Sequence, residues 1–265
     1  MMVKQDLFDV TFLIPIKLDS IYRLENLLLS VRFLQRYFNT NIKILEAGRY
    51  NNHILENLLN NTDYRFIKDS DNTYHRTKYQ NILVEGVDTP YIAIWEADII
   101  AYPELMIYAV EQLRENRTEI AYPYNGEVLN VPMLLREYYA KNENLLFLHR
   151  NAALMKVLYD IKLVGGAIFY NKDAYLNGGK DNERFYGWGN EDFERQARWE
   201  ALGYRFLRAD GPMYHLSHIR GENSKYKSVY NSLYSTNLVL STTLSSEKDI
   251  LNDHIYDQEG SVLIL

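Results

Sequence analysis

The 265-residue chain contains no cysteine. Disulfides and thiolate metal sites are therefore excluded, and any metal centre must use Asp, Glu, His or main-chain oxygen. No stretch approaches the roughly 18 consecutive apolar residues of a membrane-spanning helix. The N-terminus, MMVKQDLFDV, lacks the basic start and apolar run of a secretory leader. The expectation is a cytoplasmic protein, with peripheral association at the inner face of a membrane as an extension of it. Positive charge is in deficit, 29 Lys and Arg against 35 Asp and Glu, for a net charge of −6. That disfavours nucleic acid as a partner, which would call for a basic face; a local basic pocket for a diphosphate stays compatible. Glycine is missing just after the first apolar run, where the chain reads IPIKLDSIYR. The Gly-rich phosphate loop of a sugar-phosphate nucleotidyltransferase and the G-x-G-x-x-G of a dinucleotide-binding dehydrogenase are thus both absent from the place where they would act.

What is present suits a folded α/β protein. Apolar residues make up 47% and charged residues 24%, enough for a sizeable core and ordinary for a globular chain. Residues 8–16 (FDVTFLIPI) read as a buried first strand. Residues 20–38 carry Leu24, Leu27, Leu28, Val31 and Leu34 at helical spacing behind Ser20, a plausible N-cap. A strand over 41–46, a helix over 51–60, a strand over 64–68, a helix over 75–86 and a strand from Tyr91 to Trp95 follow. Pro103 starts the next helix, to about Glu115. This alternation predicts a mostly parallel, doubly wound sheet flanked by helices, with a smaller portion beyond it. From about residue 117 the rhythm changes. A strand is expected at 119–123, a helical or irregular stretch at 130–160, an apolar segment at 163–170 and a helix at 190–203 ended by Gly203. The polar tail from about 221 fits no pattern. We expect one catalytic domain over 1–220, with halves 1–116 and 117–220, and an extension over 221–265.

Three constellations carry chemistry. Glu96 and Asp98 sit just past the end of a strand, and ligands of parallel sheets bind outside the carboxyl ends of the strands. Two such acids suit a hard cation bridging to phosphate oxygens, although solvated loop acids look the same. His215-Leu216-Ser217-His218 offers two imidazoles that reach one metal only if the chain turns there. Imidazole beside Asp98 favours Mn²⁺ over Mg²⁺, with Mg²⁺ as the alternative. The third is Gly165-Gly166-Ala167 followed by Tyr186-Gly187-Trp188-Gly189-Asn190-Glu191-Asp192. Glycines let main chain approach a ligand closely, and Trp188 offers a flat face for a sugar ring. Glu191 and Asp192 open a helix, where the dipole stabilises negative charge but makes a weaker base unless burial offsets it. The 23 tyrosines fit either carbohydrate contact or the filling of half-buried positions.

Gly-Gly-Ala, a gap of about twenty residues, GWGNED, and then His-x-x-His near an Arg resemble the catalytic region of β-1,4-galactosyltransferases. Related bacterial family 2 glycosyltransferases and polypeptide N-acetylgalactosaminyltransferases look similar. The resemblance is clearest over 165–220 and extends weakly to about residue 8. It implies a GT-A fold, a UDP-sugar donor, a glycan or lipid-linked saccharide acceptor and usually an inverting mechanism. On this resemblance Asp98 matches the last acid of the family's metal motif, and Glu96 stands where its first Asp usually lies. His218 matches the downstream metal-ligand His, and His215 falls where some members place a second ligand. Asp192 matches the proposed catalytic base, and Glu191 an acid that binds acceptor hydroxyls. Trp188 and Gly166 fall beside the donor and acceptor sugars. Pro15, Asp19 and Arg23 lie near where relatives bind the uridine, and Glu46 near the base or ribose. Arg76 and Asn81 begin the helix before the acid-pair strand, where a basic residue can bond the diphosphate. A role in bacterial surface polysaccharide synthesis is the expected setting. The competing expectation is an inactive glycan- or nucleotide-binding protein on the same fold.

Overall fold

The computed structural model describes residues 3–250. Its strands are β1 (Gln5–Ile16), β2 (Phe38–Gly48), β3 (Asp63–Lys68), β4 (Tyr91–Trp95), β5 (Ile99–Ile100), β6 (Ile120–Tyr122), β7 (Val128–Val131), β8 (Lys156–Val157), β9 (Ala167–Asn171), β10 (Phe206–Arg208) and β11 (Met213–Leu216). Its α-helices are α1 (Ile21–Tyr37), α2 (Ile54–Leu58), α3 (Arg76–Val84), α4 (Pro103–Arg114), α5 (Met133–Asn142), α6 (Leu145–Arg150), α7 (Lys172–Asn177), α8 (Glu191–Ala201) and α9 (Val229–Leu244). A seven-stranded sheet has the order β10-β6-β9-β4-β1-β2-β3, and a four-stranded sheet the order β5-β11-β7-β8. In the large sheet β1, β2, β3 and β4 run parallel and β10 is parallel to β6; β9 runs against both of its neighbours. The mostly parallel, helix-flanked sheet predicted from the alternation is therefore present.

The core lies where the apolar runs predict it. Phe12 of β1, Trp95 of β4 and Phe169 of β9 are fully buried and meet edge to face, with Phe12 5.4 Å from Trp95 and 5.7 Å from Phe169. Ser20 caps α1 by accepting from the Arg23 amide, as its sequence position implies. Helix α1 buries Leu27, Val31 and Leu34, while Leu24 and Leu28 are only half-buried. The helix expected over 51–60 contracts to Ile54–Leu58. Asn51 and Asn52 accept from the amides of His53 and Ile54, a local bonding that competes with helix. The stretch 130–160 holds α5 and α6 but also the second half of β7 and all of β8. The tail contains α9, which packs on α8.

Two pairings position the site. β9 runs antiparallel to β4 with Ala167 opposite Trp95, and the Glu96 amide donates to Gly166 O at 2.8 Å. The Gly-Gly-Ala segment is thereby set beside the acid pair. The two-residue strand β5 pairs with β11, placing His215 opposite Ile99, and the Leu216 amide donates to Asp98 O at 2.8 Å. This brings the histidines to Asp98 across more than a hundred residues of sequence.

Candidate active site

A cleft opens past the carboxyl ends of β1 and β4, where a doubly wound sheet binds its ligands. Its first lobe is lined by Pro15, Asp19, Arg23, Arg76, Glu96, Asp98, Trp188, Glu191 and His218, among others. Its second lobe contains Gly165, Gly166 and Asp192. Arg76, Glu96, Trp188 and Glu191 border both. His215 lines neither lobe itself and meets the cleft through Asp98, and two further expected residues lie elsewhere. Glu46 is buried and accepts from the Tyr64 hydroxyl at 2.6 Å. The Asn81 amide nitrogen donates to Asp181 O and Glu183 Oε1, both at 2.9 Å. Neither lines either lobe, because each side chain is committed to a structural partner.

At one end, Asp98, His215 and His218 bring one ligand atom each to within 4.8 Å of one another. His218 Nε2 is 3.2 Å and His215 Nε2 3.7 Å from Asp98 Oδ2. The opposite ring nitrogens are anchored by acceptors: His215 Nδ1 lies 2.9 Å from Asn130 Oδ1, and His218 Nδ1 lies 3.0 Å from Ile219 O. An Nδ1–H held this way leaves the Nε2 lone pair free to ligate, the usual arrangement behind a metal-binding histidine. Asp98 Oδ1 is buried and has no hydrogen-bond partner. Such an atom is costly unless a cation or water satisfies it. The residues present thus fit a divalent cation. Burial pushes Asp98 upward, but the two imidazoles and Arg23 outweigh it and hold the carboxyl below its ordinary value. Burial lowers His215, whereas the bond to Asp98 raises His218. Glu96 is outside this cluster, its carboxylate 2.9 Å from Arg76 Nη1.

At the other end, α8 begins on Asn190, a non-glycine residue at φ 68°. Glu191 Oε2 accepts from the Gly189 amide at 2.9 Å. Asp192 accepts from Arg76 Nη2 at 2.9 Å and Nη1 at 3.2 Å, and is bonded to Arg195 one turn on. Arg195 and its second partner Asp181 are both buried. Arg76 also reaches Glu191 at 3.3 Å. Arg76, Glu96, Glu191 and Asp192 therefore line the second lobe together, with Arg195 and Asp181 behind them. Burial pulls Asp192 upward, yet Arg76 and Arg195 more than offset it and hold it below the ordinary carboxylate range. Burial raises Glu191 despite Arg76, and pushes Glu96 up to about 7. The weakening of Asp192 as a base, expected from the helix dipole, is thus reinforced by two guanidiniums rather than offset by burial.

The glycines earn their places sterically. A Cβ on Gly165 would lie 2.1 Å from Asp192 Oδ2, and one on Gly166 2.7 Å from Met213 Cε. Gly187 and Gly189 have φ of +92° and +121°, which L side chains rarely adopt. They hold Trp188 at the lip of the cleft, 39% exposed, its ring edge-to-face with Tyr226 at 5.3 Å. Sequence reasoning missed Lys17, Tyr74 and Gln80 in the first lobe, Asn130 behind His215, and Arg195 behind Asp192. Arg195 had a signal, its i+3 spacing from Asp192 on a predicted helix. Asn130 had none, since it arrives through the parallel pairing of β7 with β11.

A family model described as the N-terminal domain of galactosyltransferase matches residues 148–241. Among curated proteins none matches the chain. Among solved structures, TarS residues 1–349 from S. aureus in complex with UDP-GlcNAc superposes with a TM-score of 0.57 at 13% identity, over 93% of this chain and 71% of that one. The catalytic domain of Drosophila beta-1,4-galactosyltransferase 7 with xylobiose gives 0.51 at 14% identity, over 86% of this chain and 79% of that one. A mutant of the Drosophila enzyme with manganese, UDP-Gal and xylobiose gives 0.51 at 14% identity, covering 85% and 78%. The chain has the GT-A fold of these glycosyltransferases, and the resemblance read from residues 165–220 lies inside the matched segment. Among the described residues no helix is long and apolar enough to cross a membrane.

Proposed function

We propose that this chain, built on the GT-A fold, is a metal-dependent inverting glycosyltransferase. It moves a hexose or N-acetylhexosamine from a UDP-sugar to a hydroxyl of a glycan or lipid-linked saccharide, with surface polysaccharide assembly as its setting. One observation carries the reading: a single cleft holds a buried Asp-His-His cluster at one end and a helix-opening acid pair at the other, with Trp188 bordering both lobes. The solved relatives' titles name UDP-GlcNAc, UDP-Gal, manganese and xylobiose, ligands of the classes this cleft would take.

Asp98, His215 and His218 would hold the cation, and their mixed oxygen and nitrogen set favours Mn²⁺ over Mg²⁺. A cation there supplies charge neutralisation to the departing diphosphate. Pro15, Asp19 and Arg23 border the space for the nucleoside. Trp188 supplies the apolar face against which a pyranose ring packs. The acceptor oxygen attacks the anomeric carbon from the face opposite the diphosphate; the new C–O bond forms as the bond to the diphosphate oxygen breaks. Asp192 takes the hydroxyl proton, with Glu191 orienting the acceptor. Such base assistance is typically worth about 10²–10⁴-fold. Asp192 is ionised at neutral pH and so can accept a proton, but its two guanidinium partners make Arg76 a positioning residue whose grip sets the strength of the base.

A thermal-shift screen of UDP-Gal, UDP-GlcNAc, UDP-GalNAc and UDP-glucose with and without Mn²⁺ tests the reading. At least one donor should raise Tm only with Mn²⁺ present and be slowly hydrolysed. The absence of any Mn²⁺-dependent shift overturns it.

A further inference from the structure

Beyond the two lobes a third cavity runs between the 184–189 loop and α9, lined by Tyr186, Trp188, Lys227, Tyr230, Asn231 and Tyr234. Trp188 lines all three cavities, so the groove continues the cleft past its lip. Its walls are aromatic and turned to water: Tyr186 is 45% exposed, Tyr230 74% and Tyr234 40%. Tyr230 and Tyr234, one helical turn apart, lie nearly parallel, with an interplanar angle of 15° and centroids 6.3 Å apart. Tyr186 is held in place by its bond to Asp71 and by Lys227 Nζ, 5.2 Å from its ring centre. Between Ser228 and Ser246 the chain has no charged side chain, yet α9 buries only Ser235. A protein surface normally spends its exposed helix faces on charge.

The geometry points to an extended acceptor subsite: the groove takes the sugar units of a neutral oligosaccharide that lie beyond the unit being elongated. Flat, exposed phenol and indole faces match the C–H faces of pyranose rings, and the hydroxyls of Tyr230 and Tyr234, with the Asn231 amide, match the sugar hydroxyls at the edges. The wall that α9 presents carries no charge and suits an uncharged chain; the two basic residues of the lining, Arg184 and Lys227, lie outside α9. Continuity through Trp188 sets the direction, outward from Asp192 along α9. The identification of the occupant as an acceptor rests on the glycosyltransferase reading; the groove's affinity for saccharide does not.

The test is direct binding, followed by the fluorescence of Trp188, since Trp95 and Trp199 are buried. The probes are xylose and xylotetraose, glucose and cellotetraose, N-acetylglucosamine and chitotetraose, and galactose and β-galactotetraose. At least one tetrasaccharide should bind about tenfold more tightly than its monosaccharide. Tyr230→Ala/Tyr234→Ala, shown folded by circular dichroism, should erase that gain while leaving monosaccharide binding and Mn²⁺-dependent UDP-sugar hydrolysis unchanged. The inference is overturned if no tetrasaccharide gains over its monosaccharide, or if the double variant keeps the gain. It is also overturned if sedimentation shows a dimer that the double variant dissolves, which would assign α9 to a second copy. Loss of Mn²⁺-dependent UDP binding with the length dependence intact would strike the donor reading and spare the groove.

Discussion

The two ends of the cleft hold their acids in opposite conditions. Around Asp98 the balance is open: one carboxylate oxygen is buried without a partner, and two imidazoles present nitrogens to the other. Around Asp192 it is closed, because Arg76 and Arg195 supply the guanidinium bonds the carboxylate needs. The open end leaves an acceptor that a cation would satisfy. The closed end is complete as it stands, and on the proposed reading must loosen before Asp192 can take a proton. A buried charge that is already paired is hard to strip of its partner, and an unpaired acceptor is equally hard to leave empty. The contrast shows that acids equally visible in a sequence can be left open in one place and fully paired in another.

The sharpest way to break the contrast is to disable each end separately. Asp192→Asn should lower transfer by at least about 10²–10⁴-fold while Mn²⁺-dependent UDP binding, followed by calorimetry, persists. Asp98→Ala or His218→Ala should remove that binding itself. Near wild-type turnover in Asp192→Asn would show that the proton goes elsewhere. A smaller effect is expected from Gly165→Ala, whose new Cβ would meet Asp192 Oδ2 at 2.1 Å. The backbone there is not left-handed, so the change acts by displacing the carboxylate. A misplacement on that scale costs about 10²-fold in rate, and UDP binding at the open end should not change. Unaltered kinetics would mean that Asp192 need not sit where it does.

The smallest expected effect is a change in pH profile. Burial raises Asp192 and the guanidiniums lower it further than burial raises it. As the pH falls through its depressed pKa the base is protonated and the rate falls. Arg76→Gln removes one guanidinium, so the acidic limb of kcat/KM should move to higher pH. A limb that stays in place would separate the limiting ionisation from Asp192.

Much of the frame was legible because burial imposes a period. The apolar run at 8–16, the stripe behind Ser20 and Pro103 at a helix start each announce their element, and boundaries fell within a few residues. Helix α9 was illegible for the opposite reason. Its sequence, VYNSLYSTNLVLSTTL, buries a single serine, so no apolar stripe betrays it. The acids and histidines of the cleft were recognisable as residues, but their meeting was not. It depends on a strand of two residues, β5, pairing with β11 from the far end of the chain. Glu46 and Asn81 stand close in sequence to cleft-lining elements, and only their bonds to Tyr64, Asp181 and Glu183 show that they face elsewhere.

Asn190 begins α8 in a left-handed conformation, and its side-chain Nδ2 donates to Ser235 Oγ at 3.1 Å and to Thr236 Oγ1 at 3.4 Å. Thr242 adds a bond from α9 to Glu194 at 3.2 Å. A chain trimmed after residue 220 would retain every ligand and acid of the cleft and yet lose the clasp that fastens the start of their helix. On the proposed reading such a truncated form would grip a cation while aiming its base badly, so the smallest fragment that binds and the smallest that turns over would differ in length.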